Sequence, residues 1–338
     1  MMSNRHRFTF LLPFTSILLL LVMILAACGS ATTSSGSNVS SSGTLQNVSI
    51  GLGYIPDIQF APFYVAQSKG YYKDAGLNVT FHHGIVTDLV GSLAAGHDTF
   101  VFATGDEELV ARSKNLNVVD VSTIYQKYPV SLIVPANSPI HALADLKGHT
   151  IGSPGPYGAT YVGLLALLYN AHLSLSDVHV KSIGFTQVAA LMNHQVDAVV
   201  GYSNNEPLQL EKNGFSVRTF NVSDYQPLVS NGLITTAATL QSQPKMVRNF
   251  VQATLKGLKE VIANPSEAVQ ISQNYVPGLN VTTAMSVLQA TIPIWQGNGQ
   301  LGYNDSATWQ SMTQFLVAQK IIPPVQNLSQ AYTNQAVS

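Results

Sequence analysis

Short apolar runs rich in β-branched residues alternate with longer helix-forming segments from about residue 48 onward. Such alternation is typical of an α/β protein. The short runs predict strands at 48–53, 78–81, 99–103, 118–125, 130–134, 150–152, 178–183, 198–200, 216–220 and 233–236. The longer segments predict helices at 62–69, 87–95, 106–114, 142–147, 159–169, 187–193, 206–212, 244–262, 265–273, 282–290 and 306–319.

The order of these elements predicts two α/β lobes. Residues 46–128 and 229–338 would form lobe 1, and residues 129–228 would form lobe 2. The chain would then cross between the lobes twice, and the helices after the last strand would pack back on lobe 1. Two lobes joined by two hinge crossings form a clamshell, which binds a ligand in the cleft and closes by hinge bending.

The N-terminus has the pattern of a secretory signal. Residues 1–27 begin with Arg5 and Arg7, continue through a largely apolar stretch and end in small residues. The uninterrupted apolar run, 17–25, is shorter than the roughly 20 residues of a membrane span. Residues 25–29 read LAACG and resemble the bacterial lipobox, which implies a lipidated Cys28 that anchors the mature chain to the membrane. Residues 28–45, rich in Ser, Gly and Thr, predict a flexible tether.

Composition excludes several classes of function. Only 10% of the residues are charged, and 16 Lys and Arg stand against 17 Asp and Glu without a basic block, so a nucleic-acid partner is not expected. A single cysteine excludes an intramolecular disulfide and a thiolate cluster, and the histidines lack metal-ligand spacing. The glycine-rich turn at Gly155 lacks the Lys-Ser/Thr of a phosphate-binding loop. We therefore expect neither a metal nor a cofactor.

The candidate binding residues follow the predicted strands. In open α/β sheets ligands bind beyond the carboxyl ends of the strands. The loops at those ends carry aromatic rings and neutral amides or hydroxyls, with Lys127 at the hinge crossing as the only cation, which favours an uncharged flat heterocycle over a sulfonate or phosphate. The candidates, including one tryptophan near the C-terminal helices, are Tyr54, Asp57, Gln59, Phe60, Thr104, Asp106, Glu107, Tyr125, Tyr157, Tyr202, Asn204, Asn205, Glu206 and Trp295.

A purely structural role is open for some of these residues. Phe60 and Trp295 would then belong to the core, and Asp106 or Glu107 would cap and charge the start of a helix.

One long segment carries a family resemblance. Residues 53–77 read GYIPDIQFAPFYVAQSKGYYKDAGL and closely resemble the opening of the periplasmic binding proteins of the sulfonate and thiamine-pyrimidine branch. The resemblance continues through ADLKGHTIG at 144–152, GFTQVAALM at 184–192 and VDAVV at 196–200. It implies a type II periplasmic binding protein clamshell and the role of a monomeric solute-binding lipoprotein, outside the cytoplasm, that delivers its ligand to an ABC permease and its ATPase.

Residues 54–60, 105–108, 155–158 and 202–207 look most like members of this branch associated with riboflavin uptake. A thiamine pyrimidine precursor, formylaminopyrimidine or hydroxymethylpyrimidine, is the alternative ligand, and a ligand-sensing lipoprotein is an alternative role. The branch also includes thiamine pyrimidine synthases, which use a pyridoxal-phosphate lysine and an internal histidine. Those positions fall on Ala103 and Glu107 here, so no Schiff base can form and an enzyme is not expected.

Overall fold

The computed structural model describes residues 44–297 and 299–338. The predicted leader, Cys28 and the tether up to residue 43 lie outside the described residues. All ten predicted strands are present, and they form two five-stranded sheets.

The first sheet has the strand order β2-β1-β3-β10-β4. Its strands are β1 (Gln46–Leu52), β2 (Leu77–His83), β3 (Phe100–Thr104), β4 (Val118–Thr123) and β10 (Asn231–Thr236). Strand β1 pairs in parallel with β2 and β3, whereas β10 runs antiparallel between β3 and β4. The middle strand β3, with the sequence FVFAT, is buried along its whole length, as a nearly continuous apolar run predicts for a strand covered on both faces.

The second sheet has the strand order β7-β6-β8-β5-β9. Its strands are β5 (Val130–Pro135), β6 (Thr150–Ser153), β7 (His179–Ser182), β8 (Ala198–Tyr202) and β9 (Val217–Asn221). Strands β6, β7 and β8 are parallel, and β5 runs antiparallel between β8 and β9. The chain therefore passes from one sheet to the other twice, between β4 and β5 and between β9 and β10.

The helices are α1 (Ala61–Ser68), α2 (Tyr71–Asp74), α3 (Val86–Ala94), α4 (Gly105–Ser113), α5 (Gly158–Asn170), α6 (Gln187–Met192), α7 (Glu206–Lys212), α8 (Ala237–Ser242), α9 (Pro244–Ala263), α10 (Pro265–Ser272), α11 (Val281–Gln296) and α12 (Ser306–Ala318). Two of them, α2 and α8, are short and were not expected. The predicted helix 142–147 is a single 3-10 turn, Leu143–Leu146. Helix α11 continues past the predicted end at 290 through Pro293, because buried apolar residues such as Trp295 hold its last turns against the core.

The C-terminal helices divide between two apolar clusters. Helices α9, α10 and α11 share a core with the first sheet, in which Phe250 stacks on Phe100 with ring centroids 4.2 Å apart. Helix α12 instead contributes Trp309 and Phe315 to a cluster that also contains strands of the second sheet. The division into lobes at residues 128 and 229 stays a prediction. Among the described residues, no helix has the length and apolar character to cross a membrane.

Candidate binding cleft between the two sheets

A cleft lies between the sheets, at the carboxyl ends of their parallel strands. Its space amounts to about 850 Å³, including the part open to solvent. The residues that line it come from both sheets and are Gly53, Tyr54, Gln59, Phe60, Ile85, Val86, Phe102, Glu107, Tyr125, Pro154, Tyr157, Gly158, Ala159, Thr160, Phe185, Gln187, Tyr202, Asn205, Glu206 and Asn231.

Aromatic rings form much of the cleft wall. Tyr54, from the loop after β1, meets Phe185, from the loop after β7, edge to face with ring centroids 5.0 Å apart. Phe102 lies deeper, 6.0 Å from Tyr125 and 6.1 Å from Phe60. Tyr157 stands at the start of α5 and is half-buried. Rings on several sides of one space suit a flat aromatic ligand, because stacking adds about 0.5–1.5 kcal/mol per contact beyond area burial.

Glycine shapes the position of Tyr157. A Cβ on Gly155 would lie 2.2 Å from the Tyr157 ring, so the ring occupies space that any larger residue at 155 would fill. Gly158 has a φ of +76°, which favours glycine, and a Cβ there would lie 3.3 Å from Glu107 Oε1. The missing side chains therefore let both the Tyr157 ring and the Glu107 carboxyl approach the beginning of α5.

Two carboxyl groups line the cleft, one from each side: Glu206 is buried and Glu107 is half-buried. Glu107 Oε2 accepts a hydrogen bond from the Thr104 backbone N–H at 2.9 Å. Glu206 Oε2 accepts one from the Tyr202 N–H at 2.7 Å. Burial raises the pKa of Glu206 to about 7. Burial, and then the neighbouring Asp106 carboxyl, raise the pKa of Glu107 above its ordinary value.

The two carboxyl groups face no protein cation in the cleft. No lysine or arginine lines it in the part of the chain that the structure describes. Near neutral pH each group can therefore exchange between a proton donor and an acceptor, and a ligand with adjacent N–H and C=O groups could meet both forms.

Most of the predicted residues line the cleft. They are Tyr54, Gln59, Phe60, Glu107, Tyr125, Tyr157, Tyr202, Asn205 and Glu206. Phe60 both lines the cleft and belongs to the core of the first sheet.

The other predicted residues do not reach the cleft wall, and local hydrogen bonding and packing explain three of them. Asp57 Oδ1 accepts the Gln59 N–H at 3.0 Å and so caps a 3-10 turn. Thr104 is fully buried as the residue before α4. Asp106 Oδ1 lies 3.0 Å from the Tyr128 hydroxyl, which places it behind the wall.

Asn204 and Trp295 also lie behind the cleft wall and are not among its lining residues. The Asn204 side chain donates to Thr291 Oγ1 of α11 at 2.7 Å. Trp295 is fully buried and packs edge-on against Tyr125, with centroids 5.9 Å apart. Both residues support Tyr125 from behind.

Several lining residues were missed in the sequence. Ile85, Val86, Phe185 and Gln187 follow the strands β2 and β7, so the rule that found the others would have found these had it been applied to every strand. The sequence did not predict Asn231 as a lining residue for another reason. It begins β10, and only the antiparallel pairing of β10 with β3 brings the start of that strand to the carboxyl ends of its neighbours.

The described chain has the fold of the periplasmic binding proteins. It matches the structure of the periplasmic aliphatic sulphonate binding protein SsuA from Escherichia coli with a TM-score of 0.71, over 85% of this chain and 97% of that one, at 14% sequence identity. The expected fold class is thereby confirmed. Within residues 44–297 and 299–338, no group of three or more His, Cys, Asp or Glu side chains is arranged to hold a metal ion.

The chain belongs to the NMT1/THI5-like family, whose model matches residues 57–268. It is 36% identical to the riboflavin-binding protein RibY of Chloroflexus aurantiacus over 94% of this chain and 96% of that protein. It is 28% identical to the formylaminopyrimidine-binding protein of Halalkalibacterium halodurans, over 89% of this chain and 92% of that protein. The family resemblance found in the sequence is confirmed.

Proposed function

We propose that this protein is the solute-binding component of an ABC importer and that it captures a flat aromatic heterocycle, riboflavin in the first place. The observation that carries the proposal is the cleft itself, which combines aromatic rings from both sheets with the carboxyl groups of Glu107 and Glu206 and lacks any lining cation in the described residues. The 36% identity to a protein named for riboflavin binding, over nearly the whole chain, supports riboflavin.

The chemistry of a flavin fits the lining of this cleft. The isoalloxazine rings are flat, and Tyr54, Phe102 and Tyr157 offer them stacking and edge contacts. One edge of the ring system carries an N–H between two carbonyl groups. A carboxylate accepts from the N–H and a protonated carboxyl donates to a carbonyl, so Glu107 and Glu206 together can read this edge.

A thiamine pyrimidine precursor is the second candidate ligand. An aminopyrimidine presents an amino group beside a ring nitrogen, and a single carboxyl group can pair with both. The same two glutamates therefore favour this class too, and a relative at 28% identity is named for formylaminopyrimidine binding.

Binding without catalysis is the proposed activity. The lysine that a pyridoxal-phosphate-dependent synthase of this branch would need falls on Ala103, an apolar residue of β3 that is 1% exposed. None of the described residues that line the cleft is a lysine. A sensor with the same fold would bind its ligand in the same way, and it would differ by lacking a permease partner.

We further propose that the protein acts outside the cytoplasm, held to the membrane by a lipid on Cys28, and that it meets its permease as a monomer. The sequence of residues 1–29 supports the anchor. Lys127, which lies between β4 and β5, is not among the residues that line the cleft.

A ligand panel tests the proposed function. The melting temperature of the purified full chain is measured with riboflavin, formylaminopyrimidine, hydroxymethylpyrimidine and taurine. A ligand that binds only the folded state stabilises it by RT ln(1 + [L]/Kd), or about 2.7 kcal/mol at one hundred times Kd. We expect the largest increase with riboflavin and none with the sulfonate taurine. A higher melting temperature with a pyrimidine alone would indicate a role in thiamine-precursor uptake. An unchanged melting temperature with all four compounds would refute binding of a flat aromatic heterocycle.

A further inference from the structure

A second cavity adjoins the binding cleft. It measures about 890 Å³, including space open to solvent, and it shares Tyr54, Phe185, Gln187 and Glu206 with the cleft. The two cavities therefore meet along the edge-to-face contact of Tyr54 and Phe185. The remaining walls of the second cavity come from α6, α7 and the residues that end these helices.

The lining of the second cavity combines apolar and polar side chains, and none of its described residues carries a positive charge. Its amides and hydroxyl belong to Thr186, Gln187, Asn193, Gln209 and Asn213, and no lysine or arginine is among the described residues around it. Each amide offers both donors and an acceptor, which matches a hydroxyl group that donates and accepts at once. A phosphate would require cations or several convergent N–H groups, and here it would meet the Glu206 carboxyl instead.

Gln187 marks the passage between the two cavities. The residue is 4% exposed and lines both spaces. Its amide has two donors and an acceptor that a ligand in either space can reach. A ligand atom that crosses from the cleft into the second cavity would pass this amide.

We infer that the ligand is a flat heterocycle with a neutral, polyhydroxylated side chain, and that this side chain lies in the second cavity between α6 and α7. The inference rests on the proposed function and narrows its ligand class. It favours riboflavin, whose ribityl chain carries hydroxyl groups, over its phosphate ester FMN and over thiamine pyrimidine precursors, which have no such chain to place there.

The test compares three flavins that share the ring system. Lumiflavin has a methyl group in place of the ribityl chain, and FMN adds a phosphate to that chain. Dissociation constants for riboflavin, lumiflavin and FMN are measured with the purified full chain by quenching of flavin fluorescence. We expect riboflavin to bind at least about tenfold more tightly than either analogue, which is the scale of one or two neutral hydrogen bonds.

Variants at the second cavity locate the effect. Asn193 and Asn213 are exposed, so the double substitution Asn193→Ala with Asn213→Ala should preserve the fold, as an unchanged melting temperature would show. It should weaken riboflavin binding about tenfold and leave lumiflavin binding unchanged. Gln209→Ala, at a residue that lines the second cavity and not the cleft, should give the same selective loss. Asn274→Ala, at an exposed asparagine outside both cavities, is the matched control and should change neither.

The outcomes separate the inference from the proposed function. Equal affinity for riboflavin and lumiflavin, with variants that affect both alike or neither, would overturn the inference while flavin binding stands. Tighter binding of FMN than of riboflavin would overturn the inference that the side chain of the ligand is neutral. If neither riboflavin nor lumiflavin binds to the unaltered chain, the proposed ligand and the inference both fail.

Discussion

The ring of Tyr54 meets the ring of Phe185 almost at right angles, at 85° and with centroids 5.0 Å apart. Tyr54 follows β1 of the first sheet and Phe185 follows β7 of the second, so this contact joins the two sides of the cleft at its mouth. Phe185 nevertheless remains 44% exposed. A contact of this kind can form when the cleft closes and break when it opens.

The Phe185→Ala variant tests this contact. We expect the ligand to dissociate roughly tenfold faster, because an aromatic pair contributes about 0.5–1.5 kcal/mol beyond area burial and the exposed ring contributes little to folding. The dissociation rate is measured by stopped-flow fluorescence of bound riboflavin. Tyr225→Ala, which removes an aromatic residue of similar exposure away from the cleft, should leave the rate unchanged. An unchanged rate in Phe185→Ala would show that this contact does not retain the ligand.

The position of Tyr157 gives a second prediction. Tyr157→Ala should weaken riboflavin binding by about tenfold or more through loss of stacking, and Tyr157→Phe should retain most of the affinity because the ring remains. Gly155→Ala should resemble Tyr157→Ala, since the new Cβ would displace the ring that lies 2.2 Å from it. Affinities are measured by isothermal titration calorimetry.

Tyr161→Ala, one turn along α5 and outside the lining of the cleft, is the control for Tyr157 and should bind normally. Full affinity in Gly155→Ala, with an unaltered melting temperature, would contradict the position assigned to the Tyr157 ring.

Burial of Glu206 predicts a pH dependence of stability. Its pKa is about 7 in the folded chain against an ordinary value of 4.5. Below pH 4.5 both states hold the proton; between 4.5 and 7 only the folded state keeps it, so stability falls as pH rises; above 7 both have lost it. The total loss from this group is on the order of 3 kcal/mol. Glu206→Gln should therefore reduce the fall in the free energy of unfolding with rising pH. Urea unfolding between pH 5 and 8 measures this fall.

Other buried acids keep part of this pH slope in the Glu206→Gln variant, because burial also raises the pKa of Asp120 to about 7. Glu211→Gln, on the exposed side of the same helix, is the matched control. Its free energy of unfolding should change with pH as steeply as that of the unaltered chain. A slope equal in all three proteins would contradict the burial of a protonated Glu206.

Close packing of α1 against α9 predicts a strong effect at one glycine. A Cβ on Gly257 would lie 2.3 Å from the Pro62 carbonyl oxygen and 2.9 Å from the Ala66 Cβ. Gly257→Ala should destabilise the fold by about 1–3 kcal/mol, because backbone atoms must move apart. Gly91→Ala in α3, where no heavy atom lies within 4 Å, should instead stabilise it by about 0.5–1 kcal/mol. Urea unfolding measures both, and equal effects would refute the close approach of the two helices.

The pattern of the chain was enough to predict all ten strands, because each is a short apolar or alternating run with β-branched or aromatic residues. The predicted end of α11 at 290 was too early. A proline inside a helix usually breaks it, and only the packing around Trp295 shows that this helix continues past Pro293. Of the predicted binding residues, the aromatic ones that follow the strands lie along the cleft. Asp57 and Asn204 lie away from its wall, because a polar residue in a loop can bond to its own turn or to a distant helix, and the sequence does not distinguish these uses.

Titration of riboflavin with the purified full chain tests whether the cleft binds a flavin. We expect saturable quenching of flavin fluorescence at one flavin per chain, which hydroxymethylpyrimidine does not reverse and which Tyr157→Ala weakens about tenfold. Absence of quenching, or complete displacement by hydroxymethylpyrimidine at equal concentration, would contradict the assignment of the cleft to a flavin.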